Sequence, residues 1–219
     1  SALPNYRLQM LANGMRFRNE QDLYAYIFTG WNAPFVRELL SPSLPEGLDL
    51  WQHPLRKLLT RSPRKSVAER GGFADLQHYL PDDILVKVDR CAMHYSLETR
   101  APLLDHRLVE WAMQLPARLK MHNGQQKIVL KKLLFHHLPR DLFERPKSGF
   151  AVPLRHWFRS ELRGRLEEAL APAELRRHGL FDEQCVQQLL KRHFSGRWNY
   201  ERQLWALLMF QLWYNEVFS

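Results

Sequence analysis

Cysteine is almost missing from this 219-residue chain, and its two copies, Cys91 and Cys185, lie far apart. Two distant thiols build no disulfide framework, which excludes a small cross-linked scaffold and makes a reducing cytoplasm the expected location. Long apolar runs are missing as well. The most apolar stretch, Leu204 to Phe218, is interrupted by Gln211, Asn215 and Glu216 and is too short to span a bilayer, and no signal peptide is visible. Cys91-x-x-His94, with His78 nearby, has no second Cys/His pair at a spacing suited to a closed zinc site, so no metal centre is expected from these residues.

What the chain does contain is apolar and basic. A hydrophobic fraction of 45% with seven tryptophans argues for a folded core, and the length suits one large domain or two small ones. A formal net charge of +9 is compatible with nucleic acid, an anionic membrane or a nucleotide-phosphate site. The cations are scattered, from Arg56-Lys57 through Lys131-Lys132 to Arg163 and Arg165, with no nucleic-acid-binding signature beside them. They read as solvated helix faces, so neither nucleic acid nor membrane is the expected partner. A basic helical nucleic-acid- or partner-binding module is kept as the alternative, and a degenerate scaffold as a third.

Helical periodicity dominates, and the expected fold of the chain is all-α. Asn19 should cap a helix from Glu20 to Phe28, with a short turn from Phe35 to Leu40 and further helices over Trp51–Leu59 and Val67–Tyr79. Pro81-Asp82-Asp83 reads as a new helix start running to Tyr95, with Ile84, Leu85, Val88, Ala92 and Tyr95 on its buried face. Asp105 should cap His106–Leu115, and Gly124 should precede a helix from Gln125 to His137. Beyond Pro153 the expected helices run to Leu170, from Glu183 to His193 and from Tyr200 to Val217, with no strand anywhere. Trp157-Phe158 and the tryptophans between Trp205 and Trp213 are assigned to the core. Asp89-Arg90 and Glu98-x-Arg100 sit in apolar sequence and read as paired structural charges, so Asp89→Ala is expected to cost stability.

One local signal points to chemistry. Lys147 stands between Pro146 and Ser148-Gly149, neighbours that disfavour helix, so it belongs on a loop. A loop lysine is a mobile point charge able to reach phosphate, and the following glycine lets a ligand approach the backbone.

The run from Tyr79 to Asp105 (YLPDDILVKVDRCAMHYSLETRAPLLD), followed by LVEWAMQLP from Leu108 and by RPKSGFAVPL from Arg145 to Leu154, resembles the synthetase domain of the asparagine synthetase family. Gly179-Leu-Phe-Asp182 and Leu204–Met209 resemble the end of that domain, so the resemblance covers about Ser66 to the C-terminus. It implies glutamine-dependent amidotransferases that use ATP and Mg2+ to adenylate a carboxylate, aspartate by default, and amidate it with ammonia from glutamine. It further implies that Lys147 is catalytic, facing the departing pyrophosphate, and that Lys127 lies on the nucleotide side. The family's Ser-Gly-Gly-x-Asp-Ser loop and acidic Gly-Asp/Glu-Gly-x-Asp-Glu loop do not occur here. The lone Gly-Gly pair, Gly71-Gly72, has no serine on either side, and neither cysteine is terminal. The opening Ser1-Ala2 reads as a cloning remnant or cut site rather than a native start. The chain is therefore expected to be the helical C-terminal portion, residues 1–219, of an α/β nucleotide-binding domain of the adenine-nucleotide α-hydrolase-like kind. It should be inactive alone, with ATP and Mg2+ held mainly by parts outside it, and a sister chain is expected to cover its unpaired apolar face in a homo-oligomer.

Overall fold

The computed structural model describes residues 17, 19–45, 54–62, 66–144 and 152–218. The fold is helical, as expected, and divides into two compact units, residues 1–60 with 151–219 and residues 61–150. No described helix is long and apolar enough to cross a membrane.

The first unit holds the well-packed core. Its described N-terminal elements are α1 (Glu20–Thr29), α2 (Ala33–Leu39) and α3 (Pro54–Arg61), the last ending at the boundary with the second unit. Asn19 caps α1 by accepting from the Asp22 amide, and Asn32 caps α2 by accepting from Phe35. One helix is expected from beyond Pro153 to Leu170, and no helix between there and Glu183. That stretch is instead broken into Leu154–Trp157 and Arg163–Ala169, and a further helix follows, Pro172–His178, with proline at its start and ended by Gly179 in the left-handed conformation. Two longer helices close the unit: Glu183–Phe194, capped by Asp182, and Glu201–Phe218. Leu39, Phe158, Leu166, Leu170, Leu175, Val186, Leu189, Leu190, Leu204, Leu207 and Leu208 form one buried cluster. The two chain segments are stitched together by backbone: the Ser41 amide donates to Leu180 O at 2.9 Å and the Asp182 amide to Leu39 O at 2.8 Å.

The second unit is built differently. Ser66 and Glu69 make a reciprocal capping box that starts a helix at Val67. The helix passes from α register (Val67–Ala74) into π register (Asp75–Leu85) and back (Val86–His94). Pro81 therefore does not begin a helix; it lies inside one. In α register its ring would strike the carbonyl four residues earlier, and the wider π turn gives it room. A short 3-10 turn, Pro102–Leu104, precedes His106–Gln114, where Asp105 caps by accepting from the Arg107 amide at 3.0 Å. Ala117–Lys120, a hairpin, Ile128–His137 and a 3-10 turn at Arg140–Leu142 complete the described part.

The expected buried face of the Pro81 helix is a correction. Leu85, Val88 and Tyr95 are exposed at 38%, 42% and 76%, and Ile84 and Ala92 are half-buried. Among the described residues of this unit only Gly71 and Ala74 are buried. The apolar periodicity is real, and among the described residues of this unit no layer covers it.

Candidate functional site

Lys147 and the rest of Arg145–Ala151 lie outside the described residues. Their flanks are the Arg140–Leu142 turn and the helix Leu154–Trp157, and the division between the two units falls inside the motif, after Phe150.

Lys127 is placed. The segment before it was expected to be helix from Gln125, but it forms a two-stranded antiparallel hairpin, Met121–His122 paired with Gln125–Gln126. Asn123 (φ 48°) and Gly124 (φ 75°) make the two-residue turn, both in the left-handed region that such a hairpin needs. Lys127 is itself left-handed (φ 58°, ψ 39°) and turns the chain from the hairpin into the helix Ile128–His137. That helix has no side-chain cap and no carboxylate in its first turn. An exposed ammonium group thus stands at the positive end of a helix, a poor arrangement for stability and a suitable one for an anion. Gly124→Ala is expected to cost about 1 kcal/mol, because space is free around a Cβ there and only the positive φ opposes it. Chemical denaturation checks this; an unchanged midpoint would mean that the turn is not type I′.

The charged pairs in apolar sequence are not buried, which corrects the expectation for Asp89. Asp89 and Arg90 are exposed, and Glu98 pairs with Arg100 with both side chains largely in solvent. Removing Asp89 breaks no buried ion pair, so the expected stability loss has no structural basis. Among the described residues no group of three His, Cys, Asp or Glu side chains is arranged to hold a metal ion.

Two histidines missed by sequence reasoning organise the C-terminal helices. His193 is fully buried, edge-on to Phe158 at 6.3 Å. Its Nδ1 accepts the Tyr200 amide at 3.1 Å, which leaves the proton on Nε2, a buried atom with no hydrogen-bond partner. Arg159 clamps the same region, donating from Nε to His193 O and from a terminal nitrogen to Trp198 O, both at 2.8 Å. Burial, with the positive charges of Arg159 and Arg155, pushes the His193 imidazole down to about 4; a backbone contact with Arg155 opposes this weakly. His178 is boxed by the ring edges and faces of Phe181, Phe210 and Tyr214 at 5.1–5.5 Å. Its Nδ1 accepts the Leu180 amide and its Nε2 meets buried Gln211 Oε1 at 3.1 Å. His193 continues the Val186, Leu189, Leu190 stripe of its helix, and that spacing was the available signal.

The His193 shift has a definite sign. The unfolded chain takes up a proton near pH 6.5 and the folded one only near 4, so stability falls as pH drops through that window. The expected loss from this group is about 2–3 kcal/mol. Urea titrations at pH 7, 5.5 and 4.5 should show His193→Gln losing less stability than wild type over that range. Parallel pH slopes would contradict the assignment.

Against known proteins, the asparagine synthase family model matches residues 3–215, so the match also takes in the stretch before Ser66. Asparagine synthetase [glutamine-hydrolyzing] 1 of Bacillus subtilis is 31% identical over 156 residues, covering 71% of this chain and 24% of that protein. A putative asparagine synthetase [glutamine-hydrolyzing] of Mycobacterium bovis is 40% identical over 142 residues, covering 64% and 21%. Amidase chyE of Penicillium rubens is 21% identical over 175 residues, covering 77% and 25%. The chain thus spans about a quarter or less of the length of these relatives. No solved structure matches.

Proposed function

This chain belongs to the asparagine synthase family, and from that premise we propose that it is the helical C-terminal portion of a synthetase domain that activates a carboxylate with ATP and converts it to an amide. The observation that carries the reading is the family match over residues 3–215. Relatives named glutamine-hydrolysing asparagine synthetases make aspartate the default acceptor, asparagine the product and glutamine the source of ammonia.

In this reading a carboxylate oxygen attacks the α-phosphorus of ATP, the bond to the bridging oxygen breaks, and pyrophosphate leaves with its developing charge. Ammonia then attacks the acyl carbon and AMP departs. The first departure is the step that needs positive charge held in place. Lys147, on the Arg145–Leu154 motif, fills that role by countering charge on the leaving pyrophosphate. Lys127 faces the nucleotide side, where its ammonium and the uncapped N-terminus of Ile128–His137 add to one positive field.

The family's serine-glycine and acidic loops do not occur in the sequence. The binding of Mg2+ and of most of the ATP is therefore assigned to parts of the protein outside this chain, in a reducing cytoplasm. The exposed apolar residues of the second unit, including Tyr95 and Leu97, support this, since a complete domain would cover them. Residues 1–219 alone should give no ATP–pyrophosphate exchange. Exchange by this chain alone, with aspartate or any other acid, would overturn the division of labour.

A further inference from the structure

The described asparagines differ in what their side-chain carbonyls do. Asn19 and Asn32 each accept a helix amide, from Asp22 and Phe35. Asn199 Oδ1 accepts the Glu201 amide, and Asn215 Oδ1 accepts from Gln211 Nε2 and from Arg177. Asn123 is the exception: it is exposed, and its side chain makes no hydrogen bond among the described residues. It is followed by Gly124, whose amide lies in the hairpin turn and donates to no acceptor among the described residues. Space is also free where a Cβ on Gly124 would stand, with nothing within 4 Å beyond its chain neighbours.

An asparagine amide is tethered within reach of one intramolecular nucleophile. Attack on its Cγ by the next residue's backbone nitrogen closes a five-membered ring, and the tether supplies the proximity. Two things oppose the reaction: a side chain that crowds the attacking nitrogen, and a fold that fixes the peptide group away from Cγ. Neither holds at Asn123. Glycine has no side chain, and it takes positive or negative φ at little cost. Turning over the Asn123–Gly124 peptide group exchanges a type I′ turn for type II′, and both types join paired strands. The exchange keeps φ positive at Asn123, 48° here, and carries Gly124 from φ 75° to negative φ. It swings the Gly124 nitrogen round toward Cγ while Met121 stays opposite Gln126 and His122 opposite Gln125.

We propose that Asn123 is a site of self-modification. The Gly124 nitrogen gives up its proton to water and bonds to Asn123 Cγ; the Cγ–Nδ2 bond breaks, and Nδ2 takes up a proton and leaves as ammonia. Water then opens the cyclic imide at either carbonyl. One opening leaves aspartate with the original peptide link, and the other leaves isoaspartate, with the chain running on through Cγ. Either product puts a carboxylate into a stretch, Trp111 to Arg140, that otherwise has none and that holds Arg118, Lys120, Lys127, Lys131 and Lys132. Isoaspartate also adds an atom to the backbone of a two-residue turn, which has no slack to keep His122 opposite Gln125. The consequence for nucleotide binding rests on the role proposed for Lys127, whereas the chemistry rests on the turn alone.

Incubation of the folded 219-residue chain in warm, mildly alkaline buffer tests this, read by tryptic peptide mapping. Cleavage after Lys120 and Lys127 isolates residues 121–127, so the other Asn-Gly pair, Asn13-Gly14, is read on a separate peptide. The 121–127 peptide should gain about 1 Da as the amide becomes a carboxyl group, and should separate into two products. The intact modified chain, less positive, should leave a cation exchanger earlier. Asn19, Asn32, Asn199 and Asn215 should convert at least tenfold more slowly. Gly124→Ala should slow conversion at Asn123 at least tenfold, with helical circular dichroism showing that the variant is folded. Asn123→Gln, whose longer side chain closes no five-membered ring, should abolish it. A folded chain whose 121–127 peptide keeps its mass, while the same peptide converts in urea, overturns the proposal, because the hairpin then locks the peptide group. Conversion that Gly124→Ala leaves unchanged overturns it too, since direct hydrolysis of the side-chain amide needs no glycine.

Discussion

Phe158→Ala should lower the stability of the helical first unit by about 3–5 kcal/mol, a large share of the roughly 5–15 kcal/mol that holds an ordinary domain folded. Phe158 has no exposed surface and belongs to the cluster that joins Leu39 of the N-terminal segment to Leu166, Val186 and Leu204 of the C-terminal one. It packs edge-on against His193 and stacks on Trp205 at 6.4 Å. Deleting the ring removes burial and leaves a cavity between helices whose backbones are tied at Ser41 and Asp182, so collapse can recover little. It also uncovers the His193 ring, whose Nε2 has no partner to fall back on. The neighbouring Trp157 provides the contrast. It is exposed at 37%, so Trp157→Ala should cost about 1 kcal/mol or less. Urea unfolding followed by far-ultraviolet circular dichroism reads both. A Phe158→Ala variant within about 1 kcal/mol of wild type would mean that this cluster is not the unit's core.

The second large effect belongs to Lys147, whose proposed role is purely electrostatic. An ammonium held at a departing pyrophosphate stabilises charge that appears only as the bond breaks, so its removal should act on the rate far more than on binding. By analogy with other single donors to a developing oxyanion, Lys147→Ala should slow adenylation by about 10²–10³-fold. Lys147→Arg keeps the charge but replaces a compact ammonium with a planar fork, and should recover only part of the rate.

The parts of the fold legible in the sequence were those set by local chemistry. Asn19, Asp105 and Asp182 each announced a helix start, and each side chain accepts the expected backbone amide. Asn123-Gly124 was equally local, and its turn geometry should have outweighed the apolar pattern that suggested a longer helix. Pro81 misled for a different reason. Its sequence cannot distinguish a helix that begins from one that widens, because the same clash with the preceding turn is relieved in either case. The buried face around Leu85 and Val88 was misread because periodicity reports which side of a helix is apolar, and says nothing of whether this chain provides the covering layer. Trp157 and Phe158 are adjacent and similar in composition, yet one is exposed and the other is the centre of the core. Only the break after Leu154–Trp157 decides which ring turns inward. His193 was hidden by its type, since a histidine on an apolar stripe is easily read as surface.

As for the site, the run from Tyr79 to Asp105 with the Arg145–Leu154 motif pointed to the family whose model matches residues 3–215, and Lys127 sits at an uncapped helix start. What the motif could not supply is the companion loops that would hold ATP, since those residues do not occur in the chain.

The most direct test of the central claim is ATP–pyrophosphate exchange by a chain extended upstream to include the two loops proposed to complete the site, with aspartate present. Exchange that depends on the acid and falls about 10²–10³-fold in Lys147→Ala is the result predicted. Exchange that proceeds undiminished without Lys147, or that no carboxylic acid elicits, would contradict it.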